Sequence, residues 1–388
     1  MLTSDAPNPP SRRLRVGGYV LATVWVAAVL VTSLQAGAHR NNNFLIFLTA
    51  WDNLRAGRDM YAASGRHFDI FAYSPTFALL FAPFAALPFT IGVLLWNGVN
   101  AAALYWALGR VLTSRGALVA RAIVFLDTVG AMQNVQSNAL LAGLMIIAFA
   151  ELERRHESRA AWAIGLGAAI KIFPLAAAIP GVFTPYRIPR LAIAGLLVAA
   201  ILVAAPLLVT SPAALSMQYH QWAAHSSLQS ATLRGYSVME HLHLWLGVDW
   251  PNKPIQVIGV VILLAPLSQI PHWGSERFRR LFLASVLMFC VLFNHKSESP
   301  SFVIALAGVG IWFALSARRG VDWGVLAVVF VGTVLSASDA MPEFLQQRYF
   351  QPYRLKTLPV LLVWILTQVE LWTHSVKEPF APLDADAA

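Results

Sequence analysis

Residues 41–61 read NNNFLIFLTAWDNLRAGRDMY, too polar to cross a bilayer and too amphipathic for a plain loop. Phe44, Phe47, Leu48, Trp51 and Leu54 recur at helical spacing on one face, Thr49, Asp52, Asn53 and Arg55 lie on others, and Gly57 supplies a C-terminal stop. The spacing predicts a short helix lying in a membrane interface plane. Such a helix is marginal alone in water, so it must draw its order from the bilayer or from spans beneath it. Asn43 is placed to cap a helix beginning at Phe44.

The surroundings are those of a membrane protein. Of 388 residues 57% are apolar and only 12% charged, with a mean hydropathy of +0.61, whereas soluble domains carry about 25% charged residues. The 28 Lys and Arg against 19 Asp and Glu give a net charge of +9, but they cluster between apolar runs, where cytoplasmic loops carry them. The charge reads as topology and argues against a nucleic-acid partner. A single cysteine, Cys290, excludes an intrachain disulfide and thiolate zinc sites. SRRLR at 11–15 followed by a long apolar segment ending Ala-Gly-Ala has the outline of a signal peptide. Its core exceeds the roughly 7–15 residues of a signal sequence, which favours an uncleaved first span with a cytoplasmic N-terminus.

Apolar runs recur at 16–36, 75–110, 117–132, 137–150, 160–183, 190–210, 255–271, 280–293, 302–317, 321–336 and 358–373. The expected architecture is all-α and polytopic, with about ten to twelve transmembrane helices plus amphipathic outer-loop helices, in one domain spanning 1–388. Residues 1–15 and 376–388 are expected to be disordered cytoplasmic tails. Short basic connections (SRRLR, ERRHESR at 153–159, YRIPR at 186–190, ERFRR at 276–280, ARRG at 317–320) are assigned to the cytoplasm. Longer segments rich in aromatic and hydrogen-bonding residues, 37–74, 211–253, 294–301 and 337–357, fall on the outer face. The parity between 75 and 189 stays open.

Two places concentrate chemistry. Lys171 lies in AAIKIFPLAAAIP, where an ammonium facing lipid is costly and must find a cavity, partner or headgroup, or else snorkel; Pro174 allows a hairpin with Lys171 near its apex. In Asn294-His295-Lys296-Ser297-Glu298-Ser299-Pro300, Ser299 can cap the next helix, Lys296 can assist an anion, and Glu298 or His295 can handle a proton. Gln133, Asn134, Gln136 and Asn138 either bind ligand hydroxyls or satisfy one another between helices. Trp222, Trp245 and Trp250 fit an interfacial aromatic belt better than sugar stacking. The histidines of 220–243 have no metal-ligand spacing.

Taken in order, the helix ending in Gly57 and Tyr61, Tyr73-Ser74-Pro75 leading into FALLFAPFAALPF, QNVQSNALLAGLMI, GLGAAIKIFPL, YSVMEHLHLW and NHKSESPSFVIALAGVGIW resemble glycosyltransferase family 87, polytopic enzymes of the GT-C fold. The resemblance implies a hexosyltransferase that takes a sugar, commonly mannose, from a polyprenyl phosphate at the outer face of the cytoplasmic membrane. The acceptor would be a lipid or glycan, membrane lipids would be partners, and neither cofactor nor metal would be needed. Read with that chemistry, Lys171 is the leading cation for the phosphate with Lys296 assisting, and Tyr73, Asn134 and Asn138 are candidate substrate contacts. The resemblance also implies a catalytic aspartate at the position of Asn43. An amide cannot take that proton near neutral pH, so the base would move to Glu298, with Asp52, Asp69 and His295 as other candidates and Asn43 orienting the acceptor. The rival expectation is a non-catalytic transporter or binding protein for lipid-linked glycans.

Overall fold

The computed structural model describes residues 11–38, 41–338 and 341–373, and among them the regular structure is entirely helical. Most of the expected tails lie outside the described residues, but Arg12–Arg15 already form the first turn of α1 (Arg12–Ala38). The chain continues through α2 (Asn42–Arg55), short α3 (Pro75–Leu80) and α4 (Ala82–Ala85), then α5 (Phe89–Val111), α6 (Ser114–Gln133), α7 (Asn138–Glu153) and α8 (Glu157–Ile170). A 3₁₀ stretch, Phe173–Phe183, leads to α9 (Ile188–Ala204), α10 (Pro212–Thr232), α11 (Val238–Leu246) and α12 (Asn252–Leu264). The last elements are α13 (Glu276–Leu292), α14 (Phe302–Leu315), α15 (Gly320–Val329), α16 (Glu343–Leu345) and α17 (Thr357–Thr373).

Hydrophobicity assigns the layers. Every residue of α14 is buried, as expected for a helix apolar on all sides, and α13, α6 and α7 pack around it. Close approaches need small residues: a Cβ on Gly143 would lie 2.7 Å from the α5 backbone at Ala103, and one on Gly308 2.6 Å from the Ala284 carbonyl oxygen. By contrast α1 exposes Tyr19, Val26 and Leu34, and α9 exposes Ile193, Leu196 and Leu197, the surfaces a lipid solvent would cover.

Four segments, within α1, α5, α6 and 185–208, are long and apolar enough to cross a bilayer. This is a polytopic membrane protein, and shorter apolar helices accompany these four. Helices α7, α8, α13, α14 and α17 have 14–17 residues, about 21–26 Å at 1.5 Å per residue, short of a ~30 Å hydrocarbon core. Proline and polar turns cut them, and α6, α8 and α13 end, while α7, α14 and α17 begin, at one end of the bundle. The missing turns leave an indentation there.

The opposite end gathers the basic loops. Arg110 pairs with Glu151 at 2.7 Å, Arg279 with Glu153 at 2.7 Å, Arg277 with Glu370 at 3.1 Å, and Arg187 with Glu157. These contacts resolve the parity left open between 75 and 189, because they join the α5–α6, α7–α8, 184–188 and 275–280 connections at one end.

Helix α2 takes its order from the helices beneath it, one of the two sources its amphipathic face allows. Phe44, Ile46, Phe47, Ala50 and Leu54 are buried against protein: the Phe47 ring lies 5.0 Å from Phe77, 5.1 Å from Phe81 and 5.9 Å from Trp96. The N-cap residue is Asn41, without a side-chain cap bond, so Asn43 is not the cap. Its amide is drawn to a stronger demand described below.

Deep in the bundle Lys356 Nζ pairs with Asp127 Oδ1 at 2.8 Å, both side chains buried, and donates to Ser299 Oγ at 3.1 Å. The pair ties α6 to the starts of α14 and α17. Removing one partner strands a buried charge, so Asp127→Leu should destabilise the protein by about 3–5 kcal/mol, whereas Asp127→Leu with Lys356→Met should recover most of that. Thermal unfolding in nanodiscs measures both.

Candidate active site

The indentation is a cavity of about 1390 Å³. Its walls come from the start of α2, the 66–73 loop, the α6–α7 turn, residues 170–176, one stripe of α10 and the 293–298 loop.

The α6–α7 turn is set by backbone strain. Val135 has φ +52, a left-handed conformation that a β-branched residue adopts only when its surroundings enforce it. Trp96 Nε1 donates to the Val135 carbonyl at 3.1 Å, Asn97 Nδ2 to that of Met132 at 3.3 Å, and Asn43 Nδ2 to that of Asn134 at 2.7 Å. The three opening asparagines thus divide their work: Asn41 starts the helix, Asn42 accepts from the Phe68 N–H at 3.0 Å, and Asn43 holds the strained turn.

Lys171 stands where α8 stops, in extended backbone (φ −138, ψ 147), with Pro174 following and packed under Gly167. Its Nζ donates to Asn138 Oδ1 at 2.9 Å, Asn138 Nδ2 donates to Gln136 Oε1 at 2.5 Å, and Gln136 Nε2 donates to Glu298 Oε2 at 2.7 Å. All three bonds point the same way, from ammonium to carboxylate, so each polarises the next. The Tyr73 ring lies 5.9 Å from Nζ. Its phenol is held protonated well above the ordinary tyrosine range by burial and then by the Glu298 carboxylate.

Glu298 lies on a loop pinned at several points. Tyr236 N–H donates to the Ser297 carbonyl at 2.8 Å, Lys296 N–H to Asn294 Oδ1 at 2.9 Å, and Glu298 N–H to Ser301 Oγ at 3.3 Å. Glu298, rather than Ser299, is the N-cap of the following turn; Ser299 is taken by Lys356. Burial first, and repulsion from Lys171 second, lower the pKa of the Lys296 ammonium, so two cations face one space. Burial and Lys296 likewise lower that of His295.

Asn43, Tyr73, Asn134, Lys171, His295, Lys296 and Glu298 therefore line one cavity, and Asn138 is fully buried behind it. Asp52 does not line it and pairs with Arg55 at 3.1 Å and Arg66 at 3.6 Å; Asp69 does line it. The carboxylate's link to the rest runs through Gln136, which the sequence had left between ligand contact and inter-helix filler. The Asp127–Lys356 anchor escaped notice, although a lone aspartate in the apolar run 117–132 was its signal. Among the described residues no group of three His, Cys, Asp or Glu is placed to hold a metal.

Residues 71–294 match glycosyltransferase family 87, more than half of the chain. The chain belongs to that family. This glycosyltransferase carries Tyr73, Asn134, Asn138 and Lys171 inside the matched region, and Asn43, His295, Lys296 and Glu298 outside it. A crystal structure of ArnT from Cupriavidus metallidurans bound to undecaprenyl phosphate aligns with a TM-score of 0.47 at 16% identity, covering 91% of this chain and 76% of that one. A comparison with curated proteins gives no match.

The 293–298 loop depends on Gly235, which has φ +56 and leaves no room for a Cβ against the Ser297 carbonyl oxygen. Gly235→Ala should raise hydrogen–deuterium exchange in 233–237 and 294–301 selectively. Uniform change across the chain would show that the contact is not local.

Proposed function

We propose that this membrane glycosyltransferase moves a hexose, with mannose the first candidate, from a polyprenyl-phosphate donor to a lipid or glycan acceptor, within a single domain spanning 1–388. The supporting observation is the Lys171 and Lys296 ammonium groups and the Glu298 carboxylate on a single cavity with an apolar wall, which Arg66 and Asp69 also line. Phe173, Leu175, Ala176, Phe289, Cys290 and Phe293 form that wall between the 3₁₀ stretch and α13, suited to a prenyl chain beside a phosphate held by Lys171 and Lys296. The cavity lies opposite the basic end, so the positive-inside rule assigns it to the outer face of the cytoplasmic membrane and the N-terminus to the cytoplasm.

In the proposed reaction Glu298 takes the proton of an acceptor hydroxyl, whose oxygen attacks the anomeric carbon. The bond from that carbon to the phosphate oxygen breaks, and its electron pair leaves with the polyprenyl phosphate, whose charge the two lysines compensate. A single displacement of this kind inverts the anomeric configuration. Gln136 orients the carboxylate, and Asn43, whose amide N–H is already committed to Asn134, offers its carbonyl oxygen to the acceptor hydroxyl.

Purified protein incubated with several polyprenyl-phosphate hexoses and followed by mass spectrometry tests the reading. Glu298→Gln should lower transfer by about 10²–10⁴-fold with donor binding retained. Donor held but never consumed by the unmutated protein would favour a non-catalytic lipid-glycan binder.

The lowered pKa of Lys296 gives a second test. Only the protonated amine attracts phosphate, so affinity for a polyprenyl phosphate should fall as pH rises toward, but still below, the roughly 10.4 of a free lysine. Lys296→Met should weaken binding and flatten that alkaline limb; an unchanged profile would remove Lys296 from the phosphate site.

A further inference from the structure

The 354–356 segment grips the loop that carries Glu298 from both sides. Arg354 adopts φ +53, a left-handed conformation that an arginine takes only under constraint. Its guanidinium lies 4.7 Å from the centre of the Tyr236 ring and 3.9 Å from the Glu240 carboxylate, and the Tyr236 N–H donates to the Ser297 carbonyl at 2.8 Å. Two residues on, Lys356 Nζ donates to Ser299 Oγ at 3.1 Å while pairing with Asp127 Oδ1 at 2.8 Å, and the Lys356 carbonyl accepts from Thr333 Oγ1 at 2.8 Å. Glu298 lies between these two holds.

The backbone of Glu298 is extended (φ −111, ψ 166), its N–H donates to Ser301 Oγ at 3.3 Å, and its carbonyl accepts from the Ser301 N–H at 2.9 Å. With the neighbouring peptide planes fixed, the direction of its side chain is fixed too, and the carboxylate meets Gln136 Nε2 at 2.7 Å. Lys356 is 5% exposed and Asp127 6%. Apolar side chains of the same volume would fill their site at least as well, but could not hold the Ser299 hydroxyl, which the ammonium takes in a charge-assisted bond. Asp127, Lys356 and Ser299 do not line the cavity, so their action on a substrate passes through Glu298.

We propose that Lys356 is a positioning residue: paired with Asp127, it holds Ser299 and thereby sets the direction from which the Glu298 carboxylate meets the acceptor hydroxyl. The assignment rests on the transferase reading for the role of Glu298, and on the Lys356–Ser299 bond for the hold itself. A reacting group misplaced by about 1 Å can cost ~10²-fold in rate. The phosphate contacts of Lys171 and Lys296 are separate from this hold, so its loss falls on kcat and spares the donor KM.

Ser299→Ala tests this directly, because it removes the held hydroxyl and leaves the Asp127–Lys356 pair intact. It should lower kcat by about 10–10²-fold with the donor KM little changed. Asp127→Leu with Lys356→Met should do the same, and Ser299→Thr, which keeps the hydroxyl, should restore most of the rate, with unfolding temperatures measured for each. In a Glu298→Gln background, where no base is left to aim, Ser299→Ala should cause no further loss of the residual transfer. Equal fractional losses in both backgrounds, or an unchanged kcat in Ser299→Ala, would reduce the hold to a structural contact and overturn the proposal. Modification by a water-soluble carbodiimide with glycine ethyl ester, followed by peptide mass spectrometry, reads the hold without turnover. Glu298 should react several-fold faster in Ser299→Ala, with Glu276 and Glu343 unchanged. If the unmutated protein consumes no polyprenyl-phosphate hexose, the transferase reading falls while faster Glu298 labelling leaves the hold standing; unchanged labelling overturns the hold.

Discussion

An ammonium at the end of an apolar helix cannot be left facing hydrocarbon, and much of the architecture around Lys171 follows from that demand. The chain unwinds after Ile170, so the charge sits at the edge of the cavity. Its hydrogen bond reaches Asn138 at the start of α7, and through Gln136 the Glu298 carboxylate. To present Gln136, the turn before α7 takes up the strained conformation at Val135, which in turn needs Trp96, Asn97 and Asn43 as donors. Aromatic packing of α2 on Phe77, Phe81 and Trp96 fixes those donors. A polar relay of four side chains is thereby underwritten by a hydrophobic cluster, with Tyr73 packed on Phe47 and Phe77 and its ring beside Lys171.

The two lysine–carboxylate systems differ instructively. Asp127 and Lys356 meet directly, in a buried site, with Ser299 sharing the ammonium; their charges are spent on each other and on fixing the base of the 293–301 loop. Lys171 and Glu298 are held apart by two neutral amides. Each keeps hydrogen-bonding capacity for a third party while still feeling the other electrostatically. A pair that is closed serves the fold, and a pair kept open retains groups that a ligand could use.

Much of this was legible in the sequence. Lys171 and the 294–300 segment stood out because charge is scarce in apolar surroundings, and the motif order carried the family. Which of the two would order α2 was not legible, since an apolar stripe looks the same whether lipid or protein covers it. Asn43 could be read as a cap because a local bond is the cheapest use of an asparagine beside a helix start; only the tertiary fold brings the Asn134 carbonyl within its reach. Helix lengths were not legible either, because apolar runs mark what is buried, whereas prolines and polar turns around the cavity cut several helices to 14–17 residues. Asp127 and Lys356 lie 229 residues apart, a pairing that no local pattern announces.

The ion pairs that join the basic loops also bear on how a guest reaches the cavity. They clamp one end of the bundle, whereas the other end is built from turns and loops around a cavity. A guest entering the cavity would meet the freer end of the bundle, while the paired charges hold the helices together at the other, like a clothes-peg sprung at its far end.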